Sequence, residues 1–364
     1  MRKTMRDGST TTNRDSRLDV ARGVAIVGIV LVHVFRGLYS AEIVDSGATI
    51  LVDQIVGFWS LSVFAFVGGT FVPRGVRKRG VPGYIRDRVV QFFVVYVIWT
   101  LLQGGVQLLA SSAVNTPPSV AALFSLWRPL GQLWYLPFLI LVTVVFVPMK
   151  PWVGGRAPWI LGFAAVISIA FWGFDGGYVG TQGLGLVVFF VAGMVIGSES
   201  FKTALDRFSP AVAAAVSVTL WAIGSVVAIF TGATGPTIFW DGRTVATVAI
   251  GVAVALATSA AALLFGQAAR TWSWLALLGR RSLEIYLAHI IMASGTRIVL
   301  VQLGVTTTWV IVVACLLAGV IGSVAVAFVL RRIGLGWVFD GPGWLISKPP
   351  PSTPRQGPPA AGQG

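Results

Sequence analysis

The 364-residue sequence has few charged residues. Only 11% of its residues are Asp, Glu, Lys or Arg, whereas 55% are hydrophobic, and the mean hydropathy is +0.83. A water-soluble domain has about 25% charged residues, so most of this chain is expected to face lipid rather than water. The composition therefore predicts an integral membrane protein, and the lipid bilayer is an expected partner.

Cysteine and histidine are also scarce. The one cysteine, Cys315, lies in an apolar run, so an intrachain disulfide is excluded and helix packing has to hold the fold together. Two histidines and scattered carboxylates make no metal-ligand cluster, and no phosphate-binding glycine loop of the P-loop type is present. We expect neither a metal nor a permanently bound cofactor.

The net charge of +14 comes from Lys and Arg in the short gaps between apolar runs. A nucleic-acid-binding domain would instead concentrate them on one polar face, so no nucleic-acid partner is expected. Most of the basic residues fall on one side when the N-terminus is placed in the cytoplasm and successive runs alternate in direction, as the positive-inside rule requires. The apolar runs, each long enough to cross a bilayer, have the approximate limits 20–38, 48–72, 89–111, 131–149, 158–174, 182–198, 210–231, 244–266, 283–302 and 307–330.

These runs predict an all-α fold, a polytopic membrane helix bundle of about ten transmembrane helices with both termini cytoplasmic. The cell membrane (plasma or inner membrane) is the expected location. We divide the chain into a basic cytoplasmic segment (1–18), a membrane domain (19–332) and a C-terminal segment (333–364). The Pro- and Gly-rich part from about residue 348 is expected to be a disordered tail. The first run has no small-residue cleavage site after it, which favours a retained helix over a signal peptide.

The first run contains ionisable residues that a lipid-facing helix would not tolerate. Asp19 is expected to cap the start of the helix, with Arg22 one turn in and His33 eleven residues later. On an α-helix this spacing places Arg22 and His33 about 20° apart on one face and ~16 Å apart along the axis. Arg22 can snorkel to the interface or pair with Asp19. His33 is expected to face a cavity or a partner, and a neutral imidazole there can take a proton from a hydroxyl as a general base.

At these residues the sequence resembles a known family. Arg22, ten residues and His33 are similar to the signature of the acyltransferase-3 membrane proteins, which transfer acyl groups to hydroxyls. Three later segments are also similar to that family. They are VFAFVGGTFVPRG (63–75) followed by Arg86 and Arg88, GQLWYLPFL (131–139), and LGRRSLEIYLAHI (278–290).

The resemblance implies that 19–332 is an acyltransferase domain that uses cytoplasmic acyl-CoA, acetyl-CoA in particular, as donor substrate. The implied acceptor is a hydroxyl of an envelope glycan, a glycolipid or a similar carbohydrate. His33 would act either as general base on that hydroxyl or as a nucleophile that carries the acyl group. The residues implied in binding or supporting acyl-CoA are Arg22, Asp19, Arg86, Arg88 and Arg280.

Four further residues are candidates for lining the cavity or holding the acceptor: Trp134, Tyr135, Tyr286 and His289. Trp134 and Tyr135 begin the fourth run at the outer interface, where an aromatic belt is also expected. Glu284 is expected to form a salt bridge with a loop arginine.

Two alternatives remain from the sequence. Ten helices with buried ionisable residues also suit a transporter or flippase that uses Arg22 and His33 in its substrate pathway. Membrane acetyltransferases resembling the lysosomal glucosaminide enzymes share a similar late segment. The spacing of Arg22 and His33 favours the acyltransferase-3 resemblance over both.

Overall fold

The computed structural model describes residues 15–111, 118–238 and 242–345, and they contain helices and turns with no strand. Two 3₁₀ turns (Gly131–Trp134 and Leu184–Leu186) precede α6 and α8, and a π-helical turn (Ala318–Gly322) joins α14 to α15. The helices are α1 (Arg17–Tyr39), α2 (Ser46–Val56), α3 (Ser60–Thr70), α4 (Val72–Leu109), α5 (Val120–Phe124), α6 (Tyr135–Phe146), α7 (Ala157–Ala170), α8 (Val187–Ile196), α9 (Ser198–Leu205), α10 (Pro210–Thr231), α11 (Val245–Ala268), α12 (Ser273–Arg280), α13 (Ser282–Gln302), α14 (Thr308–Leu317), α15 (Ser323–Arg332) and α16 (Trp337–Asp340).

Among the described residues, seven helical stretches are long and apolar enough to cross a membrane, or eight if α8 and α9, bent by 85°, form one span. The seven are Arg17–Tyr39, Ser46–Thr70, Val72–Leu109, Pro210–Thr231, Val245–Ala268, Ser282–Gln302 and Thr308–Arg332. Every predicted apolar run contains a helix, and the predicted all-α polytopic bundle is confirmed. The number of ten spans and the cytoplasmic termini stay predictions.

Three predicted runs form shorter helices than expected, and in run 182–198 the α-helix covers only Val187–Ile196. The helix of run 131–149 ends at Phe146, two residues before Pro148, which has no N–H to continue the helical hydrogen bonds. The helix of run 158–174 ends at Ala170, and Gly173 just beyond has a φ of +66°, which breaks a helix. Helix α4 is instead longer than its run, because it includes a basic first part up to a kink at Gly80.

The predicted domain boundaries stay predictions. Most of the basic segment 1–18 and the whole tail from about 348 lie outside the described residues.

Helix α1 is the central helix of the bundle and packs against α2, α3, α11, α12, α13 and α14. It approaches α12 very closely, because Gly23 of α1 and Gly279 of α12 each face a backbone carbonyl of the other helix where any Cβ would collide. Gly69 of α3 and Gly193 of α8 make the same reciprocal contact. Small residues at such crossings are the usual means of close helix packing in a membrane.

Helices α1 and α13 run side by side in the same direction. Arg22 of α1 donates from Nη2 to Ser282 Oγ at 2.6 Å, and further along Arg297 of α13 donates from Nη1 to the Gly37 carbonyl at 2.8 Å. Both pairs join residues 260 positions apart in sequence, so the two helices keep one register over four turns. The N-terminal and C-terminal parts of the chain therefore build one common core.

Candidate active site

A cavity of about 290 Å³ lies inside the bundle between α1, α3, α4, α6, α8 and α13. Its walls are mostly apolar, and the polar residues among them are two arginines, three tyrosines, one glutamine, one threonine and one serine. The lining residues are Arg22, Ile29, Leu61, Phe64, Gly68, Phe71, Tyr84, Arg88, Gln91, Phe92, Tyr135, Leu136, Leu139, Thr143, Phe190, Ser282, Leu283 and Tyr286. We call this space the inner cavity.

Arg22 is held inside the protein and lines the inner cavity. Its guanidinium donates to Ser282 Oγ and lies 5.9 Å from the centre of the Phe64 ring, a cation–π distance. Ser282 is buried and was not singled out from the sequence.

A second, strongly charged cavity of about 550 Å³ shares Arg22 and Leu283 with the inner cavity. Glu284 in its wall makes ion pairs with Arg281 at 2.9 Å and with Arg331 at 2.8 Å, which confirms the salt bridge predicted for it. Four arginines face two carboxylates here, so the cavity has an excess of positive charge. The full lining of this charged cavity is Arg22, Leu277, Arg280, Arg281, Leu283, Glu284, Arg331 and Asp340.

Asp19 does not cap α1, and that prediction is wrong. The helix begins two residues earlier, at Arg17, and its N-cap residue is Ser16. The earlier start has a local cause, because the Asp15 carboxylate accepts hydrogen bonds from both the backbone N–H and Nε of Arg17. Asp19 is buried in the first turn, 3.9 Å from Arg280, beside the charged cavity.

Arg86 and Arg88, both implied in acyl-CoA binding by the resemblance, point to different sides of α4. Arg88 lines the inner cavity, where it donates to Gln91 Oε1 at 2.8 Å and lies 5.5 Å from the centre of the Tyr84 ring. Arg86 is exposed and does not line this cavity, and its role in acyl-CoA binding stays a prediction. Residues two apart on a helix do not share a face, and both belong to α4.

His33 and His289 lie against each other. Their ring centroids are 5.0 Å apart in an edge-to-face arrangement at 75°. His33 is partly buried, one turn beyond Ile29 of the inner cavity, whereas His289 is 0% exposed. The sequence offered His289 as a candidate for lining the cavity or holding the acceptor, and its contact with His33 is seen only in the fold.

Hydrogen bonds orient both imidazole rings. Nδ1 of His33 bonds to the Ile29 carbonyl at 2.8 Å, and Nδ1 of His289 bonds to the carbonyls of Tyr286 and Ile285 at 2.8 and 3.1 Å. A carbonyl oxygen only accepts, so Nδ1 carries the proton in both rings and Nε2 of each neutral ring keeps its lone pair. Nε2 of His289 is buried and has no hydrogen-bond partner among the residues that the structure describes.

Aromatic side chains form one wall of the inner cavity. Tyr135 and Tyr286 have ring centroids 6.0 Å apart, and the Tyr286 hydroxyl donates to the Gln132 carbonyl at 2.6 Å. Tyr135 is only 6% exposed, so it belongs to the cavity and not to an interfacial belt. Trp134 is half-buried behind it, at 5.8 Å between ring centroids, and does not line the cavity.

The arrangement defines a class of protein: a polytopic helical membrane bundle whose core holds a partly polar cavity ending near an imidazole pair. The sequence model of one family, described as an acyltransferase domain, matches residues 15–328. The chain therefore belongs to the acyltransferase-3 family and is a multi-pass membrane acyltransferase. A search of curated proteins and a search of solved structures each found no significant match.

Proposed function

We propose that this protein transfers an acyl group, acetyl in particular, from cytoplasmic acyl-CoA to a hydroxyl of an envelope glycan or glycolipid. The supporting observation is the continuity along one face of α1, from Arg22 in the two cavities to His33 beside His289. Membership in an acyltransferase family supports an enzyme over the transporter that the sequence left open.

The two cavities that share Arg22 suit the two halves of acyl-CoA. The phosphates of CoA need cations, and the charged cavity offers Arg22, Arg280 and Arg281 for charge-assisted hydrogen bonds. The pantetheine arm and the thioester are uncharged and fit the largely apolar inner cavity. The concentration of basic residues at this end of the bundle supports a cytoplasmic location for it.

In the proposed reaction His33 acts as general base. Its Nε2 takes the proton from the acceptor hydroxyl while the hydroxyl oxygen attacks the carbonyl carbon of the thioester. The carbon–sulfur bond then breaks, and the proton passes from His33 to the departing thiolate. The products are the acyl ester of the acceptor and the free thiol of CoA. His289, which is buried against His33, acts as a positioning residue for its ring.

The experiment follows labelled acetyl-CoA with the purified protein in lipid nanodiscs. His33→Gln should lower acetyl-CoA turnover by about 10²–10⁴-fold, the usual contribution of a general base, without changing acetyl-CoA binding. Gly295→Ala, an exposed position on α13 with open space around it, is the matched control and should keep wild-type turnover.

Two outcomes would change the proposal. If mass spectrometry finds an acetyl group on the His33 ring, His33 is a nucleophile that carries the acyl group and not a general base. If acetyl-CoA neither binds nor turns over, and a solute flux persists in His33→Ala, the enzyme proposal is wrong.

The acceptor class is tested in cells, where deletion of the gene should remove one acyl group from an envelope glycan or glycolipid.

A further inference from the structure

The histidine pair contains a buried acceptor without a hydrogen bond. His289 is 0% exposed, and its Nε2 has no partner among the residues that the structure describes. Buried polar atoms of native proteins almost always have a partner, because an orphaned one has lost its hydrogen bonds to water without replacement. An orphaned acceptor in the core therefore points to a donor that exists only in another protonation state of the protein.

His33 becomes such a donor when it acts as a base. Its Nδ1 already carries a proton and donates to the Ile29 carbonyl, so a proton taken from a hydroxyl has to add at Nε2. The ring of His289 lies directly against it, with 5.0 Å between the ring centroids. The last torsion angle of a histidine side chain has a broad minimum, so the two rings can turn toward each other without a movement of either helix.

The surroundings of the pair offer no carboxylate to a protonated imidazole. Arg36, one turn further along α1, is itself paired with Asp53 at 3.0 Å. Arg297 and Cys315 line a small pocket of about 20 Å³ beside the first ring, and Tyr286 has its ring centre 6.4 Å from the second ring. In the described part of the chain neither histidine forms an ion pair, so a hydrogen bond to the second imidazole is the stabilisation that the site provides.

We infer that His33 and His289 act together as one base and hold the transferred proton between their Nε2 atoms. The acceptor hydroxyl gives its proton to His33 Nε2, and the new N–H donates to His289 Nε2. When the carbon–sulfur bond breaks, the proton passes from His33 to the thiolate, and both rings are neutral again. His289 acts through His33 without touching the substrate. This inference rests on the proposed function and adds the group that stabilises the protonated base.

The first test observes the shared proton directly. The chain has two histidines, so nitrogen-15 labelling of histidine in a protein without a histidine tag gives the NMR spectrum of this pair alone. In lipid nanodiscs, acidification should produce a coupling between the two Nε2 nuclei across the hydrogen bond, and both rings should respond to the uptake of one proton. Two independent titrations without this coupling would overturn the inference, and so would two rings that stay neutral until the protein unfolds.

The second test is kinetic and uses His289→Phe, which keeps an aromatic ring against His33 but has no lone pair. Its kcat should fall about tenfold, the effect of losing one hydrogen bond to a charged group, while the KM for acetyl-CoA stays constant. Cys315→Ala is the matched control, because it also alters a buried residue next to His33, and it should change kcat less than twofold. A wild-type kcat in His289→Phe would contradict the inference.

The two tests separate this inference from the proposed function. The coupling between the Nε2 nuclei is measured without substrate, so its presence or absence decides whether the pair shares a proton. A wild-type protein that neither binds nor hydrolyses acetyl-CoA would instead refute the proposed function, whatever the spectrum shows.

Discussion

The contact between α1 and α12, the closest between two helices of the site, can be tested by adding one methyl group at Gly279. Gly279 of α12 lies against the Asp19 carbonyl of α1, and a Cβ placed there would collide with that oxygen. Gly279→Ala therefore forces α1 and α12 apart. Arg280, the next residue, lines the charged cavity and pairs with Asp19, so the separation also displaces a proposed phosphate ligand.

Two opposing effects decide the size of the change. Alanine is the better helix former by about 1 kcal/mol, which stabilises the variant. Overpacking a close contact costs about 1–3 kcal/mol, and here the obstacle is a backbone carbonyl that no rotamer change can move aside. Because a backbone carbonyl cannot move aside, we expect the clash to prevail, with a net loss of up to about 2 kcal/mol in the free energy of unfolding.

Gly295 provides the matched control. It is also a helical glycine, but a Cβ there would meet nothing within 4 Å, so Gly295→Ala receives the propensity gain without the clash. The assay is the thermal unfolding midpoint of each purified variant in one detergent, together with its KM for acetyl-CoA. Gly279→Ala should unfold at a lower temperature than wild type and bind acetyl-CoA more weakly, and Gly295→Ala should do neither. A Gly279→Ala midpoint equal to or above that of Gly295→Ala would refute the argument.

Three further changes probe the site. His289→Gln should lower kcat about tenfold or more while the KM for acetyl-CoA stays constant, because His289 contacts His33; an effect on KM alone would contradict its positioning role. Arg88→Gln should raise that KM several-fold, whereas Arg86→Gln changes it less than twofold, and equal effects would contradict the cavity lining. Asp340→Asn removes a carboxylate from the charged cavity and should lower the KM at low salt, a difference that disappears at high salt; an unchanged KM at low salt would count against phosphate binding there.

Hydropathy predicts most of the fold, because each helix of a membrane protein needs an apolar run. Hydropathy indicates whether a segment lies in lipid or in water, but it does not indicate whether the helix is straight, kinked or broken. The kink at Gly80 in α4 and the bend between α8 and α9 are therefore invisible to an average over the run. Proline and glycine are the local signals of such breaks, and Pro148, which has no N–H, accounts for the early end of α6.

The candidate site shows the same limit. Helical periodicity alone places Arg22 and His33 on one face of α1, since both residues belong to one helix. Their partners come from α13, about 260 residues away, and no local pattern specifies such a contact. The alternating direction of successive apolar runs predicts that the first and ninth helices are parallel. It does not predict the register that pairs His33 with His289.

The register of the histidine pair also depends on Gly319, which lines neither the inner cavity nor the charged cavity. Gly319 lies in the π-helical turn between α14 and α15, and a side chain there would collide with Val30 of α1 and lie against the Cβ of His289. A π turn inserts one extra residue into a helix and is frequent at functional sites, because it redirects the residues around it. Here the turn lets the last span approach α1 and α13 at the level of the histidine pair. The position of the His289 ring, and with it that of His33, therefore depends on the last span as well as on α1 and α13.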